Sequence, residues 1–235
     1  MENVIFTWSG GKDSVMALYK LQKSGDFEIV VLLTNITEDY DRVSMHGVRR
    51  VLLEKQVESL GFYLEKIYIS KNSSNDDYEE KMRKTLLRYK SKDIVSVAFG
   101  DIFLEDLKKY REENLRKIGM KGIFPIWKRD TAELANTFID LGFKAVITCV
   151  DSKVLDKSFV GRIFDKQFLH DLPSGVDPCG ENGEFHSFVY AGPIFKHEIL
   201  FDFGEITLRE NRFFYCDLIP VEKAICCFQG IKILI

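Results

Sequence analysis

Six short apolar runs punctuate the first 150 residues, at 4–8, 29–34, 67–69, 94–99, 123–127 and 145–150. They show little polar alternation, which is the pattern of strands buried on both faces. Longer amphipathic stretches lie between them, at 13–23, 47–60, 77–89, 105–118 and 131–141. In the first of these, Val15, Leu18 and Tyr19 fall at i, i+3 and i+4, one face of a helix. Strands and helices alternating at this spacing predict βαβ units, and so an α/β fold on a parallel sheet with right-handed crossovers. Such sheets bind ligands beyond the carboxyl ends of their strands. Residues that carry chemistry should therefore follow the apolar runs directly.

Past Asp151 the rhythm changes. A short helical stretch at 165–171 leads into a Gly- and Pro-rich segment at 173–183, and three alternating apolar runs follow at 185–190, 199–203 and 213–219. These read as antiparallel strands of a smaller second part. The predicted division is a first unit over 1–150 and a smaller one over 151–235. The balance of 33 basic against 36 acidic residues excludes a uniformly basic nucleic-acid binder, though not a local basic groove. Five cysteines in no CxxC spacing indicate neither a disulfide framework nor a zinc ribbon, and a reducing cytoplasm is the expected compartment. The N-terminus lacks a basic region of the signal-peptide kind, and no apolar run approaches the roughly 20 residues of a membrane span. The apolar end, residues 224–235, is expected to pack as a last strand or at a subunit contact, so a homo-oligomer stays open.

The most specific motif is Ser9-Gly10-Gly11-Lys12-Asp13-Ser14, which follows the first apolar run and opens the first helix. Glycines permit backbone angles that let successive N–H groups turn toward one anion. The helix N-terminus adds unpaired N–H groups and the positive end of its dipole. Ser9 and Ser14 offer hydroxyls and Lys12 a cation, so the segment reads as a phosphate cradle. It is not the G-x-x-x-x-G-K-[ST] loop, because Asp13 follows the lysine.

Other segments carry alternatives. His46, near Arg49 and Arg50, reads as a solvated loop histidine or as a site residue, and its place beyond a strand end favours the site. Asp101 reads as a helix N-cap, or as a carboxylate that helps hold Mg²⁺ or orients an amine. Trp127 reads as core or pocket wall. Asp130, with Glu133 three residues on, has capping-box spacing. Glu181 and Glu184, set between glycines, read as a solvated turn or as a pocket for a cationic substrate or ammonium ion. Cys179 has no activating base in sequence beside it, although His186 lies close enough along the chain to be near. A metal site from Cys179, His186 and His170 lacks a spacing template.

Ser-Gly-Gly-x-Asp-Ser resembles the PP-loop of the N-type ATP pyrophosphatases, a superfamily related to the adenine nucleotide alpha hydrolases. Four further segments are similar to the diphthine–ammonia ligase family within it: Met45-His46-Gly47-Val48, Gly100-Asp101-Ile102 leading to Glu105 and Tyr110-Arg111, Pro125 through Asp130, and Asp177 through His186. The resemblance runs from about Val4 to about Phe195. It implies a Rossmann-like, HUP-type parallel sheet with helices on both faces, plus a smaller C-terminal α+β lobe. It also implies an enzyme that adenylates a carboxylate and transfers ammonia to it, releasing AMP and pyrophosphate. On this resemblance Ser9, Gly10, Gly11, Lys12, Asp13, Ser14 and Thr34 bind ATP, and Asp13 holds Mg²⁺. Lys12, Asp13, Asp101, Glu181 and Glu184 act in catalysis, while His46, Arg49, Glu105, Trp127, Asn182 and His186 touch the substrate.

The implied partners are ATP, ammonium and a carboxylate acceptor, such as diphthine on elongation factor 2. Asn182, and His186 after Phe185, depart from the Gly-Glu-Gly-Gly-Glu-Phe loop of the archaeal and eukaryotic ligases, as a bacterial-type variant would. A small carboxylic acid therefore stays open as acceptor. No stretch is long enough for a glutaminase domain, so free ammonium or ammonia from a partner is expected. A tRNA-thiolating PP-loop enzyme and an ATP-binding module without turnover are the rival readings. Missing CxxC spacing and the net charge count against the first.

Overall fold

The computed structural model describes residues 1–221, so the expectation for 224–235 lies outside the described residues. The chain forms β1 (Glu2–Thr7), α1 (Lys12–Ser24), β2 (Phe27–Thr37), β3 (Arg42–Val43), α2 (Arg50–Leu60), β4 (Leu64–Ile69), α3 (Asn75–Lys90), β5 (Ser96–Ala98), α4 (Glu105–Lys117) and β6 (Lys121–Ile123). It continues with α5 (Thr131–Asp140), β7 (Lys144–Asp151), α6 (Lys166–Asp171), β8 (Phe185–Ala191), β9 (Phe201–Arg209) and β10 (Phe213–Pro220). Among the described residues no helix is long and apolar enough to cross a membrane.

The first sheet runs β4-β2-β1-β5-β6 in parallel, with short β3 antiparallel beside β2. Alternation along β1 shows why helices cover both faces. Val4 and Phe6 enter the core that includes residues of α1, α2 and α5, whereas Ile5 enters a second core with Leu86 of α3 and Leu115 of α4. All three side chains are fully buried. From β1 the chain steps out through β2 to β4, then returns to β5 on the other side of β1. That reversal opens a crevice at the carboxyl ends of β1 and β5, where the predicted cradle lies.

Two strand expectations need correction. Residues 145–150 were expected in the parallel sheet but form β7 of a second, antiparallel sheet ordered β8-β7-β10-β9. β7 is central there and buried along seven of its eight residues, so its sequence has the same unbroken apolar look as a parallel strand. The run at 123–127 also ends early as a strand. β6 stops at Ile123, and the chain then turns, with Lys128 at φ 57°.

Candidate active site

The loop after β1 is held from behind. Gly10 sits at φ +79°, and a Cβ there would lie 2.8 Å from both Gln56 Oε1 and Leu53 Cδ1. Gln56, fully buried on α2, accepts from Trp8 Nε1 at 2.8 Å and donates through Nε2 to the Gly10 carbonyl at 2.9 Å and the Val189 carbonyl at 2.6 Å. Val189 N donates back to the Gly10 carbonyl at 3.0 Å, and Lys12 N donates to Ser187 Oγ at 3.2 Å. The cradle is thus stitched to β8 of the second sheet. At the end of β5, Gly100 passes so close that a Cβ would lie 3.0 Å from Ser14 N. In front, Ser9 Oγ and Ser14 Oγ share a hydrogen bond of 2.8 Å.

A cavity of about 350 Å³ opens here, within the range of roughly 300–1,000 Å³ for small-molecule sites. Ser9, Lys12, Asp13 and Ser14 line it from the loop, Thr34 and Asn35 from β2, His46 from the turn after β3, and Glu181 and His186 from the C-terminal part. Asp101 and Arg111 complete that wall. Asp13 Oδ1, Thr34 Oγ1 and Asn35 Oδ1 are buried with no hydrogen-bond partner. Buried polar atoms are paired in the great majority of cases, so three orphans in one cavity mark where a polar ligand belongs. ATP fits this donor and acceptor set. Mg²⁺ fits as well, since it takes one or two carboxylates together with phosphate oxygens, and Asp13 Oδ1 is an oxygen of that kind.

Lys12 does not point freely into the cavity. It is 3% exposed, and its Nζ pairs with Asp13 Oδ2 at 2.9 Å, donates to the Cys179 carbonyl and lies 4.9 Å from the centre of the Phe185 ring. Burial is the largest single influence and presses its pKa down, but the charge and hydrogen bond of Asp13 together with Cys179 and Glu181 outweigh it, so the pKa is raised and the side chain stays cationic. Burial raises the Asp13 pKa against the pull of Lys12. Glu181 faces the cavity, and its Oε1 accepts from Ile102 N at 2.7 Å and from Phe103 N at 3.3 Å. Burial lifts its pKa to about 7, against those two hydrogen bonds. Asp101 is 8% exposed and pairs with Arg111 through Nε at 2.7 Å and Nη2 at 3.1 Å. His46 and His186 pack ring against ring at 4.6 Å. Burial pushes His46 down to about 4 and His186 well below its ordinary value, so both are neutral near pH 7.

Seven expected site residues, Gly10 and Gly11 among them, do not line this cavity. Glu184 is 5% exposed and turned into its own loop, where it accepts from Asp177 N, Asn182 N and Asn182 Nδ2 at 3.1, 3.0 and 2.9 Å. Asn182 is thereby a loop tie. Arg49 joins Arg42 on Asp217 of β10, at 2.6 and 2.7 Å, and so fastens the turn after β3. Glu105 pairs with Lys128 on the surface at 2.9 Å, and Trp127 packs against Phe124 under Lys108. Cys179 is also excluded as a nucleophile: it is 1% exposed, its thiol donates to the Thr131 carbonyl and burial raises its pKa. Asn35, Gln56, Arg111 and Ser187 escaped the sequence reading as site residues. Asn35 follows the expected Thr34 and Arg111 lies within a family-like segment without a role of its own, whereas Gln56 and Ser187 look in sequence like ordinary positions of a helix and a strand.

Fold and site together define a PP-loop protein: a parallel α/β sheet with a Ser-Gly-Gly-Lys-Asp-Ser cradle at its switch point and an added antiparallel sheet. Family models described as the diphthamide synthase N-terminal domain and C-terminal domain match residues 2–122 and 130–223. The chain belongs to the diphthamide synthase family. It is 25% identical to a diphthine–ammonia ligase of Danio rerio, covering 86% of this chain and 88% of the relative. It is 24% identical to one of Homo sapiens, covering 86% and 83%. A third, from Schizosaccharomyces pombe, is 27% identical over 85% of this chain but only 36% of its own length. Among solved structures, a predicted tRNA methyltransferase subunit from Methanocaldococcus jannaschii aligns with a TM-score of 0.40 at 17% identity, over 61% of this chain and 77% of that one.

Proposed function

We propose that the chain is an ATP-dependent carboxylate–ammonia ligase acting on a diphthine-like acceptor. The observation that carries the reading is the cavity itself: orphaned Asp13 Oδ1, Thr34 Oγ1 and Asn35 Oδ1 line it together with the carboxyl of Glu181, which two backbone amides hold. One side suits a nucleotide and the other an ammonium ion. In the first step an acceptor carboxylate oxygen attacks the α-phosphorus; the bond to the bridging oxygen of pyrophosphate breaks, and an acyl-adenylate forms. In the second step ammonia attacks the acyl carbon, the bond to AMP breaks, the added nitrogen releases its surplus proton to solvent and the amide remains. The proton lost by ammonium on entry passes to Glu181, whose pKa near 7 suits both states.

The N-terminal end of helix α1 stabilises charge developing on the leaving pyrophosphate. Lys12 holds Asp13 and the Cys179 carbonyl in register, and so joins the two sides of the site. Mg²⁺, when bound by Asp13 and the phosphates, would offset phosphate charge. The neutral His46 and His186 wall off one side without adding charge.

The test supplies ATP, Mg²⁺ and ¹⁵N-ammonium with elongation factor 2 bearing diphthine, and separately with small carboxylic acids. AMP and pyrophosphate released in step with ¹⁵N-labelled amide are expected. ATP bound without AMP formation under every acceptor would overturn the reading in favour of a nucleotide-binding module.

A further inference from the structure

Gln56 sits with Leu52, Leu53, Val57 and Leu60 on the buried face of α2 and is itself fully buried. An amide in that company loses its water, a cost offset only when each of its groups finds a partner. Here Oε1 accepts from Trp8 Nε1, and Nε2 uses both its protons on the carbonyls of Gly10 and Val189. The reverse orientation would set the amide oxygen against two carbonyl oxygens and its protons against the indole N–H, so one orientation alone satisfies all three neighbours.

Val189 N donates to the same Gly10 carbonyl, so Gln56, Gly10 and Val189 close a ring of hydrogen bonds. The Gly10 carbonyl is thereby held toward α2 and β8. It belongs to the same planar trans peptide as the Gly11 N–H, and the two point in opposite directions. Fixing the one aims the other. Gly11 N donates to Ser9 Oγ at 3.3 Å, Ser9 Oγ is bonded to Ser14 Oγ at 2.8 Å, and both serines line the nucleotide cavity. A run of contacts therefore leads from a core amide outside the cavity to two hydroxyl-bearing residues that line it.

We propose that Gln56 is a positioning residue for nucleotide binding: it sets the Ser9–Ser14 pair through the Gly10–Gly11 peptide and ties that setting to β8. The inference rests on the reading of the cavity as a nucleotide site, and its test measures binding and needs no turnover. A second tie between α2 and the C-terminal part offers a contrast. Ser59, also fully buried, donates to the His197 carbonyl at 2.6 Å and accepts from His197 N at 3.1 Å, and neither residue lines the cavity. If α2 acted only by joining two parts of the core, the two ties would matter alike.

The probe is α,β-methylene-ATP with Mg²⁺, titrated by calorimetry into the full chain and its variants at a temperature where circular dichroism shows each one folded. Gln56→Glu keeps the shape and the bond from Trp8, but as a carboxylate it turns an oxygen toward two carbonyl oxygens. At about pH 9 it should bind the analogue about tenfold or more weakly than wild type does. At about pH 6 the carboxyl, its pKa raised by burial and by those carbonyls, is protonated and donates again, so affinity should return to within about threefold of wild type. None of the groups bonded to Gln56 titrates, whereas Glu181 and the phosphates titrate in both proteins, so the ratio of variant to wild type reports the new carboxyl. Ser59→Ala should leave the affinity within about twofold at either pH. Gln56→Met, which has neither charge nor donor, decides the matter if Gln56→Glu does not fold at the higher pH; it should lose about fivefold or more. Affinity equal to wild type in Gln56→Glu at the higher pH, or in Gln56→Met, overturns the proposal. So does an equal loss in Gln56→Glu at both pH values, or a loss in Ser59→Ala matching that of the Gln56 variants, since either marks a loosened core. Failure of the nucleotide reading would appear elsewhere, as no binding by wild type itself, and would overturn this proposal with it.

Discussion

Two glycine-rich loops meet at the cavity, residues 9–14 and 177–186, and in each a charge turned inward stands near one facing the cavity. In the first, Lys12 is turned in and Asp13 faces out; in the second, Glu184 is turned in and Glu181 faces out. The inward charges are held differently. Lys12 reaches beyond its own loop to the Cys179 carbonyl, and the backbone around it is tied to Gln56, Ser187 and Val189. Glu184 is satisfied inside its own loop, by donors no further away than Asp177 and Asn182. The inward charge of the first loop is held from outside that loop, and the inward charge of the second from within its own. Damage to the first should therefore spread, and damage to the second should stay local.

The largest expected effect is that of Lys12→Ala. It leaves Asp13 without its partner and frees the Cys179 carbonyl, so a loss of about 3 kcal/mol in denaturant unfolding is expected together with loss of AMP formation. A variant with unchanged stability would show that the lysine does not join the two loops. Next comes Glu184→Ala, which removes three hydrogen bonds within one loop and should cost about 1–3 kcal/mol. Hydrogen exchange should quicken at residues 177–184 while residues 9–14 stay protected.

Glu181→Gln tests the outward charge through pH. The folded pKa of about 7 lies above the ordinary 4.5, so the folded state holds this proton more tightly than the unfolded chain. Wild-type stability from this group is therefore full below pH 4.5, falls as pH rises to about 7 and is level beyond. The variant should lack that fall, and its melting temperature should gain on wild type across the same window. The smallest effect is expected for Glu105→Gln, because Glu105 and Lys128 are 65% and 67% exposed. A change within about 0.5 kcal/mol and unaltered AMP formation should follow.

Much of this arrangement is legible from residue types and spacing. Gly10 and Gly11 between an apolar run and a helix announce a cradle because few other backbones suit that order. Glu181 and Glu184 are alike in sequence, and what separates them is the Asp177 and Asn182 amides that turn toward one of them. Arg49 looks as available as Lys12 until β10 brings Asp217 to within 2.6 Å of it. β7 escapes for a related reason: burial on both faces erases the alternation that would mark an antiparallel strand. Local pattern reports what a segment prefers, but for Arg49 a partner 168 residues away decides which way the charge turns.

The Lys12 amide and the Ser187 hydroxyl are 175 residues apart in sequence, and the Gly10 carbonyl waits for Val189 as well as Gln56. During synthesis the cradle emerges from the ribosome 175 residues before its backing serine. Contacts of such long sequence separation form late in folding. A nascent chain that has made β1 and α1 thus holds the cradle's residues without the backing that fixes their shape. The shape of the cradle is completed only once residues 187–189 have been made and have folded against it.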